Sequence, residues 1–362
     1  MIELADIFAQ YGPAYREKYG ARLSPSQREA MWAIEHCRTE SLGGHVYRCD
    51  RCEEEQYSYH SCRNRHCPKC QNEAGQQWLS RQEHLLLPVP YFMLTFTLPA
   101  GLRQLARRHQ KRIYHLLFQA SAAAAQKLAR DPRFVGGQIG MVGVLHTWAR
   151  DLTYHPHVHY LVPGGGLSAD GRRWLSASKE FLMPVEALSL IFRAKFRDAL
   201  RQTDLFDQVP TAIWQQDWVV HCQSVGNGAA ALKYLAPYIF RVAISNNRIV
   251  KLENNQVTFR YQEAKTNETK YCTLAAEAFI RRFLQHVLPK GFMKVRYYGF
   301  LSAGNRGRLK KARNLLGACR PSQPRDDRET EPVLTERSFR CPQCGQAMQR
   351  VQTIRAKPQR PP

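Results

Sequence analysis

In Tyr154-His155-Pro156-His157-Val158-His159-Tyr160, three histidines occupy alternate positions, the spacing at which an extended strand projects side chains to one face. Two imidazoles and one further donor can hold a divalent cation with coordination positions left open, and such a cation polarises a phosphate oxygen as a Lewis acid. Pro156 has no amide hydrogen to give to a ladder, so the strand proper is expected to start at His157, which makes His157 and His159 the first choice of ligands. The third donor is open between His155, His146 on the preceding strand, and a polar side chain near a pair of tyrosines. That pair, Tyr234 and Tyr238 in AAALKYLAPYIFR, lies four residues apart and shares a face of an expected helix. A phenol with a pKa of about 10 attacks a phosphodiester only where cations draw charge from the phosphate, and Lys233 and Arg241 flank the pair. Tyrosines at this spacing also pack as a plain aromatic contact, so they gain meaning only beside the histidines. Pro237 removes the hydrogen bond to the Lys233 carbonyl and kinks the helix between the two hydroxyls.

A second constellation is made of thiols. Cys49-Asp-Arg-Cys52 and Cys67-Pro-Lys-Cys70 are separated by fourteen residues, a spacing suited to two knuckles over one tetrahedral Zn2+ with no open position. Cys37, His45, Cys62 and His66 are candidates for a second site, and Arg48, Arg51, Arg63, Arg65 and Lys69, threaded between the ligands, would put cations on a rigid knob suited to phosphate contacts. Near the other end, Cys341 and Cys344 form half a site, which Cys319 and another donor complete unless the element is not metallated.

The elements that must position these residues follow from pattern. Residues 5–19 read as a helical lead-in, 75–87 and 102–130 as helices, 91–97, 139–148 and 157–162 as strands, and Gly164 to Gly166 as a turn. Further along come a helix over 185–202, a strand near 217–222, a helix over 228–241, a hairpin over 248–261 and a helix over 274–288. The chain divides into a zinc-binding domain (1–74), a catalytic domain (75–317), and a linker with a CxxC tail (318–362). With 44% hydrophobic residues in 362, it can bury a sizeable core. Lysine and arginine number 53 against 30 acidic residues, a formal charge of +23 spread along the whole chain, which favours nucleic acid over a membrane surface. The amino terminus carries no signal-like apolar run, so a cytoplasmic protein is expected, and clustered thiols in a reducing compartment point to metal rather than disulfides.

Taken together, CRTESLGGHVYRCDRC with SCRNRHCPKCQ, LHTWARDLTYHPHVHYLVPGGGL, ALKYLAPYIFRVAISNNRI, RRFLQHVLPKGFMKVRYYGFL and the closing CPQCG resemble the rolling-circle transposases of the insertion-sequence-91 type, HUH-type tyrosine enzymes, over nearly the whole chain. The resemblance implies an α+β fold, an antiparallel sheet flanked by helices. It implies that His157-Val158-His159 binds Mg2+ or Mn2+, that Tyr234 and Tyr238 are the nucleophiles, and that Cys49, Cys52, Cys67 and Cys70 belong to a zinc-binding domain. The activity implied is cutting and rejoining single-stranded DNA at transposon ends and target through a 5′-phosphotyrosine. A replication initiator or relaxase shares that chemistry, and a non-catalytic zinc-dependent DNA-binding protein shares the charge and the cysteines. A three-carboxylate transposase would need acidic residues in strand contexts, and none stands out.

Overall fold

A computed structural model describes residues 1–71, 86–228, 230, 242–263, 266–317 and 339–357. In chain order the helices are α1 (Leu4–Tyr19), α2 (Pro25–Glu35), α3 (Arg103–Arg108), α4 (Gln110–Ala129), α5 (Val185–Arg201), α6 (Ala276–Leu284) and α7 (Arg306–Leu315). The strands are β1 (Gly44–Cys49), β2 (Glu55–Tyr59), β3 (Pro90–Thr97), β4 (Met141–Trp148), β5 (Tyr154–Pro163), β6 (Gly165–Leu167), β7 (Trp174–Ser176), β8 (Val220–Asn227), β9 (Ile249–Glu253), β10 (Gln256–Gln262), β11 (Thr269–Ala275), β12 (Val295–Tyr298) and β13 (Met348–Ile354). The fold is α+β, with antiparallel sheets flanked by helices.

The centre is a five-stranded antiparallel sheet in the order β12-β4-β5-β3-β8. Alternation sorts its side chains cleanly onto two faces. Phe92, Leu94 and Phe96 of β3, Val158 and Tyr160 of β5 and Leu145 of β4 point to the face covered by α4 and α5. Helix α5 presents Leu188, Phe192, Phe196 and Leu200, one residue per turn, into that layer. Gly143 stands opposite Tyr160 in the ladder, where a Cβ would come within 2.5 Å of the Tyr160 ring, so only glycine lets the aromatic lie flat on β4. The other face carries Met93, Val142, Val144 and Leu161, packed under Leu309 and Ala312 of α7. The histidines continue this second face beyond the part that α7 covers.

Besides the two-stranded β6–β7 sheet, the described residues form two three-stranded sheets. Strands β9, β10 and β11 form a meander whose first turn uses Asn254 and Asn255 at φ 47° and 59°, a left-handed pair that asparagine tolerates. Its apolar face shares a core with α6 and with α1 and α2, where Phe8 meets Phe283 edge-on at 5.5 Å. Helix α2 starts from a capping box, the Ser24 hydroxyl accepting from the Gln27 amide behind Pro25. The amino-terminal helices therefore pack onto residues 243–287. The other three-stranded sheet, β13-β1-β2, joins the two ends of the chain, so the carboxyl-terminal tail is a strand partner of the amino-terminal hairpin.

Several expectations change. Strand β5 begins at Tyr154, not His157. Pro156 is tolerated inside it because it sits beside a register shift on β4 and offers only its carbonyl, which accepts from the Leu98 amide at 2.9 Å. The glycines after Pro163 do not make only a turn: Gly165 and Gly166 enter β6, which pairs with β7. The single helix expected over 102–130 breaks at His109, at φ −124° and ψ 46°, into α3 and α4. Residues 269–275, partly assigned to a helix, form β11, because they pair in full register with β10. The helix expected over 75–87 falls almost wholly outside the described residues. So does most of the one over 228–241, with Lys233, Tyr234, Tyr238 and Arg241.

Candidate functional site

His157 and His159 face the same side of β5, and register supplies their third neighbour. His146 of β4 lies directly opposite His157, the cross-strand position where Cβ atoms approach within about 4.5–5.5 Å. One ring nitrogen from each of His146, His157 and His159 lies within 4.8 Å of the others. His155 is not in this group. Its Nδ1 instead accepts from the Arg103 guanidinium at 2.7 Å, so its ring is held towards α3, on the far side of the register shift.

The rings are oriented by their second nitrogens. His157 Nδ1 is 2.6 Å from the His155 carbonyl, which can only accept, so this nitrogen carries the hydrogen and Nε2 keeps its lone pair. Thr95 Oγ1 lies 2.9 Å from His159 Nδ1, held there by the Thr95–His159 pairing of β3 with β5. Burial pushes the His157 imidazole down to about 4, so it is neutral and ready to ligate near pH 7. Trp148 stacks on His146 at 4.8 Å, and Lys294 lies 5.2 Å over the Trp148 ring, its pKa lowered to about 7 by burial and then by the Arg65 charge. His286 is structural. It is buried between Thr147 Oγ1 and the Leu152 carbonyl, both at 3.2 Å. Three imidazoles with open positions suit a first-row divalent ion, and nitrogen donors favour Mn2+ over Mg2+.

A cavity of about 1300 Å³ is lined by Arg22, Arg103, Arg107, Arg108, Lys111, Arg112, Arg281 and Arg282; none of the three histidines lines it, and no described lining residue is acidic. Thr153 and Tyr154, where β5 begins, form part of its wall, and Arg103 links it to His155. Such a groove concentrates phosphate. The dense run Arg107-Arg108-His109-Gln110-Lys111-Arg112 was the available signal, but read as one helix it spreads around the surface. The break at His109 turns both halves towards one cavity.

The thiols group differently from expectation. Cys37, Cys62, Cys67 and Cys70 form one cluster, and Cys49, Cys52, Cys341 and Cys344 another, each with its sulfurs within 4.8 Å. Cys49 and Cys52 do not share a site with Cys67 and Cys70, because β2 separates them: five residues of strand at ~3.4 Å each carry the chain roughly 17 Å from one end of the hairpin to the other. There it meets the end of α2, where the Arg38 amide donates to the His60 carbonyl, and Cys37 is at hand. His45 and His66 join neither cluster. His45 projects from β1 towards His60, with their Nε2 atoms 3.4 Å apart, and the half-buried His66 accepts from the Leu288 amide. Cys341 and Cys344 are grouped with Cys49 and Cys52; Cys319 lies outside the described residues. Of the cations expected to contact phosphate in this segment, Arg48, Arg51 and Arg63 are exposed. Arg65 donates to the carbonyls of Leu288, Pro289 and Phe292, and Lys69 pairs with Glu3 at 2.5 Å.

Among the described residues, no helix is long and apolar enough to cross a membrane. Residues 140–308 match the family described as "Putative transposase", and residues 7–98 the family described as "Transposase zinc-binding domain". The chain is 42% identical to the "Putative transposase y4qJ" of Sinorhizobium fredii (strain NBRC 101917 / NGR234), across 95% of this chain and 93% of that protein. It is 29% identical to the "Transposase for insertion sequence element IS801" of Pseudomonas savastanoi pv. phaseolicola, across 86% and 80% respectively. No solved structure matches the chain.

Proposed function

Because the chain belongs to the insertion-sequence-91 family of transposases, with a zinc-binding domain at its amino terminus, we propose that it moves its element by nicking and rejoining single-stranded DNA through a 5′-phosphotyrosine, in rolling-circle fashion. The observation that carries this reading is the three-imidazole centre on the central sheet, in a chain that also carries a groove lined by arginine and lysine and linked to β5 through Arg103 and His155. His146, His157 and His159 are the residues that would hold the catalytic ion. Bound there, Mn2+ or Mg2+ supplies Lewis acidity at a phosphate oxygen.

The chain's own groups do the rest. Arg103, Arg107 and Arg282 hold the strand's phosphates, and a groove of this kind takes a flexible single strand by its backbone without reading its bases. Tyr234 or Tyr238 supplies the nucleophile, from a segment that follows directly on β8, the neighbour of β3 in the central sheet. The phenolic oxygen replaces the 3′ oxygen on phosphorus. One proton leaves the phenol and one is gained by the departing 3′ oxygen. The number of phosphorus–oxygen bonds is unchanged, so rejoining is the reverse attack by a 3′-hydroxyl and needs no external energy source. A second tyrosine allows a second cut before the first is resealed.

The test is peptide mapping after reaction with a single-stranded oligonucleotide carrying the element's own end, with a duplex of the same sequence in parallel. A nucleotide remnant on Tyr234 or Tyr238, from the single strand only, is expected. Tight binding of both DNAs with no remnant on any peptide would favour a non-catalytic zinc-dependent binding protein.

A further inference from the structure

The match to a transposase zinc-binding domain ends at residue 98, and the second thiol cluster draws half its donors from beyond residue 340. Two loops far apart in sequence build it with the same backbone. In Cys49-Asp-Arg-Cys52, the Glu53 amide donates to the Cys49 carbonyl at 2.9 Å and the Cys49 amide to the Glu54 carbonyl at 3.0 Å. In Cys341-Pro-Gln-Cys344, the Gly345 amide donates to the Cys341 carbonyl at 2.8 Å and the Cys341 amide to the Gln346 carbonyl at 2.8 Å. The residue after each second cysteine is left-handed, Glu53 at φ 58° and Gly345 at φ 71°. Glu53 has no conformational licence of its own for that region, so its repetition of the Gly345 geometry marks a shared requirement of the loop.

The sulfurs face each other across the two loops: Cys49 to Cys344 is 3.5 Å, Cys52 to Cys341 is 3.3 Å, and Cys52 to Cys344 is 3.7 Å. These are far beyond the ~2.05 Å of a disulfide. They approach the edge of a tetrahedron around Zn2+, about 3.8 Å for Zn–S bonds of about 2.3 Å. Strands β1, β2 and β13 run from the two loops, with Cys49 paired to Met348, and Tyr47 stacks on Phe339 at 4.3 Å beside the cluster.

The geometry points to a zinc ribbon divided between the two ends of the chain, in which Cys49 and Cys52 from the amino-terminal hairpin and Cys341 and Cys344 from the tail hold one Zn2+. This site is separate from that of Cys37, Cys62, Cys67 and Cys70. Four thiolates leave no open position, so the ion is structural, and it fastens the carboxyl-terminal strand to the amino-terminal sheet across the intervening chain.

The full-length protein reconstituted with Co2+ tests this, because thiolate-to-cobalt charge-transfer absorption reads sulfur ligation and the histidine centre does not contribute. Cys341→Ser with Cys344→Ser is expected to halve the wild-type intensity, Cys49→Ser with Cys52→Ser to halve it equally, and all four together to leave the same half. Full intensity in the Cys341→Ser/Cys344→Ser protein, or a four-fold variant well below either pair, would overturn the assignment. Wild-type protein loaded with 113Cd gives a reading independent of any variant. Two tetrathiolate resonances are expected, and a single one contradicts the divided ribbon.

Discussion

The histidine centre and the thiol clusters each gather side-chain donors within 4.8 Å, yet they are built in opposite ways. The histidines sit on adjacent strands of the central sheet, whose ladder and packed core fix their places without a metal, and three of them leave coordination open. The thiols come largely from loops and each cluster supplies four; the first sits against the core shared by α1, α2 and α6, whereas around the second the buried residues among those described are Cys49, Cys341 and Met348. A site that the fold holds open is suited to chemistry, and a site that holds the fold closed is suited to structure. Removing a ligand should therefore cost activity in one region and stability in the other.

The largest expected effect is on stability. Cys67→Ser should remove the metal of the Cys37 cluster and cost at least about 4 kcal/mol, roughly 5 °C in Tm for a chain of this length, because structural zinc supplies folding free energy outright. Differential scanning fluorimetry reads this, and an unchanged Tm would erase the contrast. Next comes Arg65→Ala, which leaves three carbonyls without their charged donor and should cost about 2–4 kcal/mol. Its salt dependence of DNA binding should match wild type, which separates a structural arginine from a phosphate contact. Thr95→Val takes away the partner of His159 Nδ1 and should weaken Mn2+ binding about 10–100-fold by titration calorimetry, with little change in Tm. The smallest effect is expected for Arg107→Gln in the groove: a few-fold loss of single-strand affinity, and a salt slope shallower by about 0.7.

How much of this could be read from the chain alone depended on distance along it. The projection of His155, His157 and His159 to one face is a local property of a strand and is visible in the alternation. Choosing His146 over His155 as the third neighbour needs the β4–β5 register, and that is set by packing of residues far away, such as Tyr160 over Gly143. The cysteines teach the same lesson. Spacing joins Cys49-Cys52 to Cys67-Cys70 only while the intervening chain is taken as a loop; once residues 55–59 become a strand the pairs are held apart, and the tail supplies the missing partners. Arg65 and Lys69 looked like surface cations by type and proved to be donors within the fold. Individual strands and helices were accessible because period-two runs and glycine-rich breaks are local, while the α+β class with an antiparallel sheet was what the family resemblance implied.

The central claim is that the imidazole centre serves a covalent strand-cutting reaction. Its most direct test is a denaturing gel of the protein with labelled single-stranded DNA from its element end, with Mn2+ or with chelator, run for wild type, His146→Ala, and the His157→Ala/His159→Ala pair at matched zinc content. A protein–DNA band that needs the added metal, falls by about 10³-fold or more in the paired variant (roughly 4 kcal/mol of transition-state stabilisation) and weakens in His146→Ala is the result expected. A band of wild-type intensity in the paired variant, or one that persists in chelator, would contradict it.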